Sequence, residues 1–192
     1  SCDSLQKHGV VYLSKAIKAL SLLISFTLEF CLCKNINDEL IGILMPSLSV
    51  LRNIKNLELD FSGKDSKTIS DRGLGHVITM LQRNNSFERV ALDFSNQMLI
   101  SAAGIQALTN WLLLAINSLL KVVLDFSNCT KICPRAILFL AQAIQRMGNL
   151  KEIRIYLAKI YLSTENVSEF FMHNYQAHVM LYFVHRIANQ FD

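Results

Sequence analysis

Three aspartates draw attention by repetition. Asp60, Asp93 and Asp125 each sit inside the tetrapeptide Leu-Asp-Phe-Ser, at spacings of 33 and 32 residues. Glu29 falls in the same phase 31 residues before Asp60, and Tyr156 falls 31 residues after Asp125. Paired carboxylates can do general acid–base work, and a row of them can hold a cation or receive a basic partner. Identical residues at every step of a repeat point to structure or binding rather than catalysis. Nucleophile elbows of the form G-x-S-x-G, phosphate loops of the form G-x-x-x-x-G-K-[ST] and dinucleotide loops of the form G-x-G-x-x-G are absent. Arg72-Gly73-Leu74-Gly75 reads as a helix start, not a phosphate cradle.

The metal-ligating residue types give no usable set. Cys31-x-Cys33 and Cys129-x3-Cys133 lack histidine partners at zinc-site spacing, and His173, His178 and His185 do not share one helix face. Five cysteines in 192 residues are an odd count in a chain that is not small, which argues against a secreted disulfide framework and for free thiols. Sequons at Asn84, Asn128 and Asn166 weigh less than that signal. A net charge of +4 with scattered Lys and Arg does not make a nucleic-acid footprint. The longest apolar run, near 20–33, contains Glu29 and is too short to span a bilayer.

The elements that carry the carboxylates follow from periodicity. Around each Leu-Asp-Phe-Ser phenylalanine, apolar residues alternate: Phe26, Leu28, Phe30; Leu57, Leu59, Phe61; Val90, Leu92, Phe94; Val122, Leu124, Phe126; Ile153, Ile155, Leu157. Period two is a strand with one buried face. A lone aliphatic follows (Ile36, Ile69, Ile100, Ile132), then Leu40, Gly73, Gly104 or Ala136. The period then turns helical, with stripes Leu74-Val77-Ile78-Leu81, Ile105-Leu108-Trp111-Leu112 and Ile137-Leu140-Ala141-Ile144. Ser70 and Ser101 are placed as N-caps, Pro134 suits a first turn, and Pro46 should end or kink the helix that begins near Asp38. Trp111 and the Phe30, Phe61, Phe94, Phe126 column are read as core.

Strand, loop and helix in about 32 residues cannot bury both apolar faces alone, so copies must stack as a parallel sheet under a helix layer. Helices are wider than strands are far apart, roughly 10 Å against about 4.8 Å, so the strands line a concave side. Leu/Ile-x-x-Leu-x-Leu, a small polar residue, an aliphatic and a Gly-headed helix, in five phased copies, resemble the leucine-rich repeat; the long helical unit is similar to its ribonuclease-inhibitor-like class. The resemblance implies an α/β curved solenoid over about residues 1–162. The family's Asn/Cys ladder past the strand has no Asn series here. Its candidates are Cys31 or Cys33, Ser62 or Lys64, Ser95 or Gln97, and Ser127 or Cys129, in two open registers.

The ends differ. Ser1-Cys2-Asp3 aligns with Ser127-Asn128-Cys129, with Leu5 and Gly9 in the Ile132 and Ala136 slots, as if the chain began inside a repeat and the natural protein extended N-terminally, leaving a raw, aggregation-prone edge. Residues 163–192 lose the repeat; a helical cap is expected there, with Val179–Ile187 in one helix, and a partner-binding or membrane-surface helix as the alternative.

Outward strand positions line the concave face. Neighbouring carboxylates about 4.8 Å apart repel by roughly 1 kcal/mol in water. Arg89 and Lys121, read as an adjacent outward column, and the serine after each Asp are the expected compensation; an acidic groove for a basic peptide or protein is the functional reading. The resulting expectation is a non-catalytic protein-interaction scaffold with contact residues Glu29, Glu58, Asp60, Asp93, Asp125, Arg154 and Tyr156. It takes no cofactor, nucleic acid or membrane span, and its place is cytoplasmic, as a monomeric solenoid or part of a longer chain. The alternatives are the repeat region of a larger enzyme (a kinase or ubiquitin-ligase adaptor), a purely structural spacer, or, by resemblance, a leucine-rich-repeat activator of small GTPases.

Overall fold

A computed structural model describes residues 6–31, 33–63 and 68–160, and the backbone of 179–182. Helix and strand alternate along the chain: α1 (Lys7–Lys18), β1 (Ser25–Glu29), α2 (Asp38–Leu48), β2 (Asn56–Asp60), α3 (Asp71–Gln82), β3 (Arg89–Asp93), α4 (Ala102–Leu114), β4 (Lys121–Asp125), α5 (Pro134–Gln145), β5 (Glu152–Tyr156) and β6 (Val179–Tyr182). The strands form one parallel sheet in chain order. Each helix packs on the next, α1 to α5. The fold is an α/β leucine-rich-repeat solenoid with the sheet on the concave face and the helices on the convex face.

The register follows the alternation read from the sequence. Leu57, Val90, Val122 and Ile153 lie side by side, as do Leu59, Leu92, Leu124 and Ile155, and all are buried. Beyond the strand ends, Phe30, Phe61, Phe94 and Phe126 stack with ring centroids 5.9, 5.3 and 6.0 Å apart. Offset aromatic contacts of this kind add to the burial of each ring. The helix stripes meet this core: Leu74, Val77, Leu81, Ile105, Leu108, Trp111, Leu112, Leu140 and Ala141 are all at most 2% exposed. At the first strand the cover thins, with Phe26 and Leu28 only half-buried, and Leu22 and Ile24 exposed.

The loop after each strand is tied by a ladder made of unusual residues. The third position past the phenylalanine is the internal one. Gln97 is 1% exposed and donates from Nε2 to the Phe61 carbonyl one repeat back, at 2.7 Å. Cys129 does the same, Sγ to the Phe94 carbonyl at 3.2 Å, and Cys33 is buried at the equivalent place. Burial pushes the Cys129 thiol up to about 12, which keeps it a neutral donor. Of the two registers open in the sequence, the structure takes Cys33, Gln97 and Cys129; Lys64 lies outside the described residues. One residue earlier, Asn96, Asn128 and Lys159 turn the chain with φ of 65°, 65° and 60°. Asn tolerates that left-handed conformation better than most side chains do. Asn128 also donates to the Asn96 Oδ1 at 2.7 Å.

Helix starts are locked across repeats. Ser70 and Ser101 accept from Arg72 N and Ala103 N at 3.2 Å, as N-caps. Each serine is itself held by an aspartate of the preceding repeat. Asp38 accepts from Ser70 N at 2.9 Å and Ser70 Oγ at 2.6 Å. Asp71 accepts from Ser101 N at 2.7 Å, Ser101 Oγ at 2.6 Å and Gly104 N at 3.1 Å. A Cβ at Gly73 or Gly104 would stand 2.4 or 2.5 Å from the Oδ1 of that aspartate. Asp in one repeat therefore requires Gly in the next. Where the first residue is Ala102 instead, the next repeat carries Ala136.

One element fits the sequence reading closely and one differs from it. Pro46 lies inside α2, whose last residue is Leu48, two residues on. Its missing N–H removes one helix bond close to the C-terminus, where carbonyls are already short of partners. Ser47 and Ser49 hydroxyls cap the Leu44 and Pro46 carbonyls nearby, at 2.5 and 2.9 Å. Val179–Tyr182, expected in a helix, is strand β6, parallel to β5 with Tyr156 opposite Tyr182. A short apolar run does not declare helix or strand by itself, and the open edge of β5 offers backbone partners. The rest of the expected helical cap, 163–178 and 183–192, lies outside the described residues, as do Asn166 and the three tail histidines.

The Asp–Gly lock makes a testable pair. Gly104→Ala should destabilise the fold by about 2 kcal/mol, through the clash and the loss of the Asp71 bonds. Asp71→Ala/Gly104→Ala should recover at least about 1 kcal/mol of the summed single costs in a denaturant-unfolding cycle. Strict additivity would show the two residues to be independent.

Candidate functional site: the carboxylate row of the concave face

The sheet register places Glu29, Asp60, Asp93, Asp125 and Tyr156 side by side at the C-terminal ends of β1 to β5. Two residues back, Thr27, Glu58, Ala91, Val123 and Arg154 form the middle row. All seven residues expected as contacts thus share the concave face, in two adjacent rows. Glu29 and Glu58 are exposed; the other five are half-buried.

Each Asp is tied by its own turn. The Oδ1 of Asp60, Asp93 and Asp125 accepts from the backbone N–H of Ser62, Ser95 and Ser127, at 2.7, 2.7 and 2.8 Å. These are Asx-type turns, which the small polar residue after the phenylalanine permits. The serine half of the expected compensation is therefore present.

The cationic half is not. Arg89 and Lys121 start their strands and lie four residues from Asp93 and Asp125, about 13 Å along the strand. They occupy the far row of the face rather than the neighbouring one. Arg89 donates to Asn56 Oδ1 at 3.2 Å, and Lys121 pairs with Glu152 at 3.1 Å. Arg154, in the middle row, also turns to Glu152, at 2.8 Å. Glu152 accordingly titrates below the ordinary glutamate range, through the Lys121 hydrogen bond first and Arg154 after it. Among the described residues no Lys or Arg nitrogen makes a salt bridge to Asp60, Asp93 or Asp125.

Asp93 shows the consequence. Its pKa is raised above the ordinary 3.8, chiefly by burial, with the charges of Asp125 and Asp60 adding to the rise and the Ser95 hydrogen bonds opposing it. The surroundings of the central carboxylate of the row thus disfavour its charged form.

Elsewhere the described residues offer little for chemistry. No group of three or more His, Cys, Asp or Glu is placed to hold a metal ion. Cys31, Cys129 and Cys133 are free thiols. The Asn84 side chain is buried and donates to the Leu51 carbonyl at 2.9 Å, so its sequon reads as structure. No helix among the described residues is long and apolar enough to cross a membrane.

Sheet, helix layer and loop ladder together define a leucine-rich-repeat solenoid. The sequence matches no family model, and no curated protein matches it. Solved structures share the fold. The actin-binding site 2 (ABS2) of leiomodin-1 superposes with a TM-score of 0.59 at 16% identity, over 83% of this chain and 83% of that chain. The C-terminal domain of tropomodulin from Caenorhabditis elegans gives 0.58 at 16% identity, over 89% of this chain and 94% of that one. At this identity the likeness is one of fold.

The raised Asp93 pKa carries a pH dependence. A native state that binds the proton more tightly than the unfolded chain is most favoured below pH 3.8, and loses that advantage as pH rises through the folded pKa. Asp93→Asn keeps an Oδ1 acceptor for Ser95 N and removes the charge. It should raise the urea midpoint at pH 7, and the gain should vanish below about pH 3.8. A midpoint lowered at pH 7 would contradict the strained-carboxylate account.

Proposed function

We propose that this protein is a non-catalytic protein-binding scaffold whose partner sits on the concave face. The contacts are Glu29, Glu58, Asp60, Asp93, Asp125, Arg154 and Tyr156. The observation that carries this reading is the row of in-register carboxylates tied by their own serine turns and, among the described residues, without a salt bridge to Lys or Arg, with Asp93 held above its ordinary pKa. A basic side chain of a partner would relieve the repulsion that the fold alone leaves in place.

The leiomodin-1 structure of the same fold is an actin-binding site, which supports a protein-binding role and makes actin the first partner to try. Convex elements that are all α-helices of 11–13 residues favour the ribonuclease-inhibitor-like class. Free thiols at Cys31, Cys129 and Cys133 favour a reducing compartment, the cytoplasm.

The test is capture from cell extract, with actin probed directly, by the wild-type chain and by Asp60→Asn/Asp93→Asn/Asp125→Asn after confirming that the variant folds. A partner recovered by wild type and reduced about tenfold or more by the variant is the expected result. Equal recovery by both would remove the acidic row from the binding surface.

A further inference from the structure

Two strands of the sheet repeat one chemical order. Outward residues of β3 are Arg89, Ala91 and Asp93; those of β4 are Lys121, Val123 and Asp125. Register pairs them row by row, Arg89 with Lys121, Ala91 with Val123 and Asp93 with Asp125. The flanking strands break the order, with Asn56, Glu58 and Asp60 on one side and Glu152, Arg154 and Tyr156 on the other. The β3–β4 patch is thus cationic at one end, aliphatic in the middle and anionic at the other.

The sheet is also dished here. A shallow depression of about 210 Å³ spreads over the first and middle rows of β1 to β4, reaching Thr27, Glu58, Arg89, Ala91, Lys121 and Val123. The short side chain of Ala91 stands between the longer Glu58 and Val123 in its row.

The two charged ends do not neutralise each other. They are four residues apart, about 13 Å along the strand, beyond a Debye length of about 8 Å at physiological salt. Lys121 and Arg154 share the single carboxylate of Glu152, and Arg89 meets the neutral amide oxygen of Asn56. Asp93 and Asp125 have the Ser95 and Ser127 amides but no salt bridge among the described residues.

We propose that the β3–β4 patch takes an extended segment of a partner protein whose alternate residues are acidic, aliphatic and basic, seated over Arg89/Lys121, Ala91/Val123 and Asp93/Asp125 respectively. An extended chain presents alternate side chains about 6.7 Å apart, the same step as the rows of the sheet, so all three register together. The inference rests on the concave-face reading and refines it from an acidic groove to a dipolar one.

The test uses the full chain, labelled with 15N, and four short synthetic peptides followed by NMR shift changes. On a serine background they carry Glu-Val-Arg, Arg-Val-Arg, Glu-Val-Glu or Gln-Val-Gln at alternate positions. The mixed-charge peptide should bind about tenfold more tightly than any of the other three, shifting amides of β3 and β4. Arg89→Glu/Lys121→Glu should transfer the preference to the doubly basic peptide. If the doubly basic peptide already binds best to wild type through β3 and β4, the dipolar patch is wrong while the acidic-face reading stands. If no peptide shifts the strand residues, or the shifts fall on the helices, both fall.

Discussion

Among the described residues, no strand has a hydrogen-bonding partner strand inside its own repeat. That single constraint organises the molecule. Each five-residue strand must satisfy its backbone on the next unit, as in Phe61 N to Asp93 O at 2.8 Å and Phe94 N to Asp125 O at 2.8 Å. Side-chain bonds follow the same rule: among the described residues, the long-range ones span 29 to 36 residues, so each ties one repeat to its neighbour and none skips a repeat. Stability is therefore a nearest-neighbour property along a line, and the edges are its weak places. The exposed Leu22 and Ile24 beside β1 show what an incompletely covered edge looks like.

The same constraint generates the candidate site. In-register stacking buries like on like, which suits phenylalanine and leucine columns. On the other face it sets carboxylate beside carboxylate. The fold answers locally with the three Asx turns, and those bonds lower the cost without supplying charge. Away from that row, Lys121 and Arg154 turn to Glu152, and Arg89 to Asn56. The concave face is thus divided lengthwise, and the division lies in the order of residues along β3 and β4 rather than in net charge.

Much of this was legible in the sequence, for stated reasons. Period-two runs placed β1 to β5 and period-3.6 runs placed α3 to α5, because both faces of each unit have one obligatory direction. The Ser70 and Ser101 caps and the buried Trp111 followed from position alone. The loop ladder was ambiguous because Gln97 and Cys129 share no side-chain type; what they share is a donor long enough to reach a carbonyl one repeat back. The Asp38–Gly73 and Asp71–Gly104 locks were present as glycines without their cause, since the clash lies across repeats. The placement of Arg89 and Lys121 beside the acidic row failed on simple geometry. Same-face residues four apart along a strand are not neighbours. Val179–Tyr182 misled because an apolar run carries no period when its partner is a sheet edge.

The central claim is that the concave face carries a carboxylate row with no Lys or Arg salt bridge among the described residues, and that Asp93 bears a cost for it. The most direct measurement is an NMR titration of the Asp93 side-chain carboxyl carbon in the folded chain. The account predicts a midpoint above the ordinary 3.8, moving down when a basic ligand occupies the row. A midpoint at or below 3.8 would mean that Asp93 is already fully compensated, and the row would then be scaffold alone.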